Sequence, residues 1–245
     1  MLGIFDRVYS IYRKYTPPKY PFRVNVHMFE MSKKKECWIC FVPGNILKER
    51  LFRREILPRE GKVIVYPFDS LQWIVPNTRQ TLSHFEKVYL DAIQRTRSAH
   101  KKGYALNTLG VSTGNTLALR IAADIGVPIN HIVSLVGGAH LGICAWESIL
   151  TSSIARKSGY SSKEKYDKKL SHFSPITYVK HIQAKKVTMR LGTSDLLIPY
   201  KQGRLLAESF KKNKKTLLDL KIYTGADHCS TLFLYSLERI LKSIR

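Results

Sequence analysis

Short apolar runs rich in β-branched residues alternate along the chain with helix-like segments. The strand-like runs are 36–42, 62–66, 104–109, 132–136, 187–191 and 218–223, and the helix-like segments include 81–96, 115–125 and 202–212. Such alternation requires crossover connections between parallel strands. The sequence therefore predicts an α/β fold, with a mostly parallel central sheet and helices on both faces. Partial alternation of apolar and polar residues within 22–30 predicts an additional antiparallel edge.

The chain is long enough for a single domain over 1–245. It has 245 residues, of which 44% are hydrophobic, so one α/β core can form. Charged residues interrupt the first fourteen positions, which argues against a signal peptide, and the four cysteines are few for this length. No window approaches the roughly 18 consecutive apolar residues of a membrane span. We therefore expect a soluble, cytoplasmic protein.

The formal net charge of +23 raises the question of an anionic partner. Basic residues occur in the short runs 33–35 and 211–215, and the others are scattered along the chain. This distribution favours a lysine-biased solvated surface over a nucleic-acid site, although a specific anionic partner is the alternative. We expect no nucleic-acid partner.

Residues 2–15 carry an apolar stripe at helical spacing. The stripe comprises Leu2, Phe5, Val8, Tyr9 and Tyr12. It favours a terminal helix that packs on the protein's own sheet. The alternative is an interfacial helix, with weak association to an anionic membrane surface.

A serine stands between two glycines where the predicted strand 104–109 becomes the predicted helix 115–125. The segment reads Gly110-Val111-Ser112-Thr113-Gly114. A nucleophilic hydroxyl on such a sharp turn lies at the carboxyl end of a strand and close to a helix N-terminus. Glycines on either side remove Cβ atoms that would clash, and the Thr113 amide can donate to a developing oxyanion.

Two further polar residues follow the next predicted strands. Asp195 ends the turn Gly192-Thr193-Ser194-Asp195, and His228 ends Gly225-Ala226-Asp227-His228. With Ser112 they occur in the chain order nucleophile, acid, histidine. Open parallel sheets place ligands at the carboxyl ends of their strands, so these side chains are predicted to meet.

From about residue 36 to residue 245, the chain resembles the α/β-hydrolase superfamily. The motifs are GVSTG, LGTSDLLIP and the terminal GADH, and Ser-Pro-Ile-Thr-Tyr at 174–178 is similar to a segment of esterase and peptidase relatives. The resemblance implies a serine hydrolase that cleaves an ester, thioester or amide through an acyl-enzyme. It also implies that Ser112 is the nucleophile and His228 the general base and acid, while Asp195 orients the imidazole. Its substrate would be a small ester-type molecule.

The resemblance also implies two backbone donors in an oxyanion hole. Thr113 supplies the first, and the second comes from the turn after CWICFVPGN. Relatives often carry His-Gly at this turn, whereas this chain has Pro43-Gly44-Asn45. Asn45 is therefore the candidate donor, with Ile46 as an alternative.

Structural alternatives exist for each of these residues. Ser112 could cap the following helix, Asp195 could be an ordinary turn residue, and His228 could be a capping or core histidine. An acyltransferase with the same triad and a non-catalytic binding module on the same fold are alternative functions.

Other reactive side chains are interpreted as structural. Cys37 and Cys40 have C-x-x-C spacing but lie in a strand pattern, where residues three apart point to opposite faces, so we expect core cysteines. His140 is interpreted as a loop histidine, with a pocket role as the alternative. No second half of a zinc site and no phosphate-binding glycine loop occurs, so no metal and no cofactor are predicted.

The segment 138–181 is long for a plain connection between two strands. In α/β hydrolases a helical lid is often built at this place. Trp146, Ile149, Leu150 and Ile154 recur at helical spacing, which predicts one apolar helix face. That face suits a small lid over an apolar pocket, and it equally suits a crossover helix packed on the sheet.

Overall fold

The computed structural model describes residues 7, 22, 24–44, 55–213 and 216–244. Its sheet has the order β1-β3-β2-β4-β5-β6-β7, in which β1 is antiparallel to β3 and the other pairs are parallel. The strands are β1 His27–Glu30, β2 Glu36–Pro43, β3 Lys62–Phe68, β4 Ala105–Val111, β5 Ile129–Leu135, β6 Ala184–Gly192 and β7 Leu217–Tyr223.

Helices connect the strands. They are α1 Ser70–Trp73, α2 Thr78–Lys101, α3 Asn115–Asp124, α4 Leu141–Glu147, α5 Ser152–Arg156, α6 Lys163–Leu170, α7 Tyr200–Lys212 and α8 His228–Ile244. The long helix α2 begins at a side-chain cap, because Asn77 Oδ1 accepts hydrogen bonds from the amides of Arg79 and Gln80 at 3.0 and 3.2 Å.

The α/β prediction is confirmed. The six predicted runs correspond to β2 through β7, and each observed strand is longer than its run by one to four residues. The predicted antiparallel edge is β1, which pairs with β3 through His27 to Glu30. The three predicted helices are α2, α3 and α7.

The sheet separates two apolar layers, and the cysteines of β2 show this directly. Cys37 belongs to the layer that contains Leu117 of α3, whereas Cys40 belongs to the layer that contains Leu232 of α8. Alternation along a strand sends residues three apart to opposite faces. The prediction of two core cysteines is confirmed, since both side chains are fully buried.

The insert 138–181 consists of α4, α5, α6 and short 3-10 turns. Helix α4 ends at Glu147 because Ser148 adopts an extended backbone, with φ −61° and ψ 133°. Trp146 and Ile154 therefore lie in two separate helices, and the predicted single apolar face is wrong. Both side chains are partly buried against the larger layer.

Three sequence expectations fall outside the described residues. They concern the N-terminal stripe with Leu2, Phe5, Val8, Tyr9 and Tyr12, and the oxyanion candidates Asn45 and Ile46. Within the described ranges, no helix combines the length and apolar composition needed to cross a bilayer.

Candidate active site

Ser112 lies on a strained turn between β4 and α3. It follows Val111, the last residue of β4, and begins the 3-10 turn Ser112–Gly114. Its φ is +56°, a left-handed conformation that is uncommon for a residue with a side chain. Such strain costs roughly 1–3 kcal/mol and clusters at functional sites.

The two flanking glycines are required by close packing. A Cβ at Gly110 would lie 2.6 Å from the Cα of Asn115, and one at Gly114 would lie 2.5 Å from the carbonyl oxygen of Phe41. Both neighbours are backbone atoms, so they cannot move aside cheaply. The turn therefore holds Ser112 tightly between β4 and α3, as predicted from the G-x-S-x-G spacing.

Asn115 ties this turn to the neighbouring strand, a role that the sequence analysis missed. Its Nδ2 donates to the carbonyl oxygen of Ser112 at 3.1 Å and to that of Leu135 at 2.8 Å. Beside it, Val136 adopts a φ of +48°, although it is β-branched. Hydrogen bonds thus join the ends of β4 and β5. In the sequence, the feature that indicates this link is an asparagine at the first position of the helix after the serine.

Asp195 and His228 form a buried pair. Nδ1 of His228 lies 2.8 Å from Oδ2 of Asp195, and the two side chains are 5% and 3% exposed. The other carboxylate oxygen, Oδ1, accepts hydrogen bonds from the amides of Leu197 at 2.9 Å and Ile198 at 2.7 Å. These two bonds hold the carboxylate in place opposite the imidazole. With the proton on Nδ1, the Nε2 atom of His228 is left as a base.

Helix α8 carries His228 to the carboxyl edge of the sheet. His228 is its first residue, and Asp227 Oδ1 accepts from the amide of Ser230 at 2.8 Å. One turn further, Leu232 packs in the same apolar layer as Val111, the neighbour of Ser112. Ser112, Asp195 and His228 therefore follow the carboxyl ends of β4, β6 and β7.

The structural alternatives can be compared with these contacts. Among the described residues, no side-chain hydrogen bond caps the 3-10 turn or α3, so the Ser112 hydroxyl does not act as a helix cap there. Asp195 lies in a turn, as the alternative states, but its carboxylate also contacts the His228 ring. His228 begins a helix, but its ring also contacts a carboxylate from another loop.

The first amides of a helix have no intrahelical acceptor, and Thr113 stands at that place in the turn. Its side-chain Oγ1 lies 3.3 Å from the Oγ of Ser70, the first residue of α1. Ser70 brings a second hydroxyl to this edge, which the sequence analysis did not single out. The other predicted donor, Asn45, lies outside the described residues.

His140, interpreted from sequence as a loop histidine, also has a carboxylate partner. Its Nδ1 lies 2.8 Å from Oδ2 of Asp167 in α6. Oδ1 of Asp167 accepts from the amide of Gly142 at 2.9 Å and from the hydroxyl of Ser174 at 3.3 Å. Ser174 opens the Ser-Pro-Ile-Thr-Tyr segment, so part of that motif supports this second pair.

Cys144 is not a nucleophile at this edge. Burial raises the pKa of its thiol, and the nearby carboxylates of Asp195 and Asp167 raise it further. The thiol therefore stays protonated at neutral pH. In the part of the chain that is described, no group of three or more His, Cys, Asp or Glu side chains could hold a metal ion.

The chain has the α/β-hydrolase fold, as comparison with solved structures establishes. An acylaminoacyl peptidase of Pyrococcus horikoshii is 12% identical, with a TM-score of 0.62, and the match covers 92% of this chain and 40% of that one. Carboxyl esterase 2 of the fungus Tuber melanosporum is 11% identical, with a TM-score of 0.59 over 100% and 96% of the chains. A phospholipase/carboxylesterase of Dyadobacter fermentans is 10% identical, with a TM-score of 0.56 over 91% and 100%.

The chain thus spans 40% of the length of the peptidase and nearly the whole length of the two esterases. No protein-family model matches the sequence, and no curated protein sequence does. Likeness at these identities establishes the fold and carries no information on the substrate.

Proposed function

We propose that the protein is a serine hydrolase that cleaves a carboxylic ester through an acyl-enzyme. The observation that carries the proposal is the buried pair of Asp195 and His228, held at the same sheet edge as the strained Ser112 turn. Thioesters and amides are further substrates of the same chemistry. The similar solved structures include esterases and peptidases, which supports hydrolysis in general.

In the proposed reaction, the Oγ of Ser112 attacks the substrate carbonyl carbon while Nε2 of His228 takes the hydroxyl proton. The carbonyl oxygen becomes negatively charged and accepts a hydrogen bond from the Thr113 amide. Collapse of this intermediate breaks the bond to the leaving group, which receives the proton from His228. Water then attacks the acyl-enzyme by the same steps, and the carboxylic acid and free Ser112 are restored.

The carboxylate of Asp195 stabilises the imidazolium that forms twice in this cycle. It also fixes the tautomer, because the amides of Leu197 and Ile198 hold one oxygen while the other faces Nδ1. The geometry therefore orients His228 before substrate binds, which lowers the reorganisation needed in the transition state.

We also propose that the insert 138–181 is a lid. Its backbone bonds to the loop after Asp195, where the Ile149 amide donates to the carbonyl oxygen of Leu196 at 3.1 Å. Further along, the hydroxyl of Tyr160 lies 3.2 Å from Oγ1 of Thr78, at the start of α2. The insert thus joins the start of a helix that follows β3 to the loop that follows β6. Such a bridge can exclude water from a site at this edge.

A fluorophosphonate probe tests the proposed nucleophile, because it reacts with serines that a base activates. Labelling followed by peptide mass spectrometry should identify Ser112 in the native protein. Ser112→Ala should lose the label, whereas the control Ser152→Ala should keep it. Unchanged labelling of Ser112→Ala would overturn the assignment.

A panel of esters, thioesters and peptides then identifies the bond that is cleaved. Product analysis in the presence of alcohol and thiol acceptors separates hydrolysis from acyl transfer. Dominant transfer to the acceptor would identify an acyltransferase, and a labelled enzyme without turnover on the whole panel would contradict ester hydrolysis.

A further inference from the structure

A second histidine with a carboxylate partner, His140, follows β5, the strand that pairs with β4 and lies beside the Ser112 turn. Val111 and Leu135 are the last paired residues of β4 and β5. Ser112 and Val136 come directly after them, so these two residues are neighbours at the carboxyl edge of the sheet. His140 is four residues beyond Val136, which limits it to about 14 Å from that residue even along an extended chain. The loop between Val136 and His140 packs on the first turn of α7, the helix that follows Asp195, since the Ala139 amide donates to the Gln202 carbonyl oxygen at 3.1 Å.

Asp167 and Asp195 have similar arrangements of hydrogen bonds. One oxygen of each carboxylate accepts backbone amide hydrogens, and the other faces the Nδ1 of a histidine at 2.8 Å. A Cβ at Gly138 would lie 2.4 Å from the thiol sulfur of Cys144 and 3.1 Å from the side chain of Ile198, so α4 and the segment after Asp195 pack on the same loop. Two similarly built pairs therefore lie on segments that pack against each other.

The two pairs differ in access. The His140 side chain is 26% exposed, whereas that of His228 is 5% exposed. In the part of the chain that the structure describes, Asp167 is the only hydrogen-bond partner of the His140 ring. A carboxylate that accepts from Nδ1 fixes the proton on that atom and leaves Nε2 as an acceptor.

We infer that His140 is a specificity residue whose Nε2 accepts a hydrogen bond from an N–H or O–H group of the substrate, with Asp167 as its positioning residue. The inference rests on the proposed hydrolase function and adds a substrate class to it. Preferred substrates carry a donor, such as an amide N–H, near the scissile carbonyl. A site built to bind a donor discriminates against the analogue that lacks it.

Two substrate pairs test this inference, and each pair exchanges an N–H for a CH₂. The acyl-side pair is p-nitrophenyl N-acetylglycinate and p-nitrophenyl levulinate, corrected for spontaneous hydrolysis. The leaving-group pair is 2-acetamidoethyl butyrate and 4-oxopentyl butyrate, followed by titration of the released acid. The ratio of kcat/KM within a pair measures the preference for the donor, and the pair that shows it locates the donor.

His140→Phe should lower this ratio about five- to tenfold for one pair, which is the usual contribution of one hydrogen bond. The control His172→Phe, at an exposed histidine, should leave both ratios unchanged. Fluorophosphonate labelling of Ser112 should stay within twofold of wild type in His140→Phe, because the probe has no donor. Unchanged ratios, or loss of labelling in the folded variant, would overturn the inference.

Asp167→Asn provides a second variant that keeps an oxygen for the Gly142 amide. Its amide group donates to Nδ1, so the proton moves to Nε2 and the acceptor is lost. Histidine ¹⁵N NMR should detect this change of tautomer, and the donor preference should fall as in His140→Phe. A wild-type His140 with its proton on Nε2 would contradict the inference. The NMR measurement of the His140 tautomer does not depend on enzymatic activity. Failure to label Ser112 in the wild-type protein would contradict the proposed function alone, so the two failures can be distinguished.

Discussion

Arg190 of β6 and Glu238 of α8 form a two-point ion pair, with Nε–Oε2 and Nη2–Oε1 distances of 3.2 and 3.1 Å. The Arg190 side chain is 3% exposed and also binds Asp219 of β7. Glu238 accepts further hydrogen bonds from Tyr223 and Lys242. This network attaches α8, and with it His228, to the two last strands of the sheet.

The network predicts acid-sensitive stability. Burial alone would raise the pKa of Glu238, but hydrogen bonds from Arg190, Lys242 and Tyr223 outweigh it and lower the pKa to about 2. The folded-state pKa is thus below the unfolded value of about 4.3. The stabilisation is fully present above that value and is lost as the pH falls toward 2.

Glu238→Gln should therefore lower the free energy of unfolding by about 2 kcal/mol at pH 7, and by much less near pH 2. Urea unfolding at both pH values measures the difference. The exposed Glu208, paired with Arg204, is the control, and Glu208→Gln should cost under about 0.5 kcal/mol. An equal loss of unfolding free energy at both pH values would contradict the predicted link between Glu238 ionisation and stability.

Asp195→Asn should lower kcat by about three to four orders of magnitude while the fold is kept. The amide would donate to Nδ1 of His228 and favour the tautomer whose Nε2 cannot accept the Ser112 proton. Ester turnover and thermal unfolding check the two halves of this prediction. Near-native activity would show that another group orients His228.

Gly110→Ala should destabilise the protein by about 1–3 kcal/mol, because its Cβ would meet the Cα of Asn115 at 2.6 Å. Gly44→Ala is the matched control, since its Cβ would meet nothing closer than the Phe68 carbonyl oxygen at 3.7 Å. Denaturant unfolding compares the two variants. Equal stability of the two variants would show that the turn accommodates the added methyl group despite its close packing.

The cysteines should behave as packing residues. Burial raises the pKa of the Cys37 thiol to about 11, and Cys40 and Cys144 are buried as well. A thiol reagent should therefore react in the native protein only at the partly exposed Cys229, and at all four positions after unfolding. Cys229→Ser should remove the native reaction. Rapid oxidative loss of two thiols would instead favour a redox pair.

The N-terminal stripe of residues 2–12 is predicted to pack on the protein itself, and it lies outside the described residues. At low ionic strength the protein should then sediment with neither anionic nor zwitterionic vesicles. Binding to anionic vesicles alone, abolished by deleting residues 1–16, would favour an interfacial helix that weakly associates with membranes.

The sheet and the Ser112 turn could be predicted because their signals are local. β-branched runs mark the strands, and two glycines around a serine mark a close approach of strand and helix. Asp195 and His228 could be located because each directly follows a strand. The fold brings such strand ends to one edge whatever the sequences between them.

Pairings between distant segments could not be predicted in this way. His140 and Asp167 are 27 residues apart, and nothing near either residue specifies the other. The single apolar helix face predicted for the insert is wrong for a similar reason. Ile149 gives its amide to the Leu196 carbonyl oxygen, a tertiary hydrogen bond that replaces the helical one and ends α4 near Glu147. Helical spacing in the sequence carries no information about such competition.

Val136 has a consequence for attempts to stabilise this protein. Its φ of +48° disfavours a β-branched residue by roughly 1–3 kcal/mol, and glycine would relieve that cost. The side chain is also buried in the apolar layer that contains Val111, so glycine would leave a cavity whose cost offsets this relief. Directed evolution for heat resistance should therefore leave position 136 unchanged, although its backbone is strained. Because Val136 adjoins Ser112 across the sheet edge, a substitution there would also loosen the support of the serine turn and lower turnover.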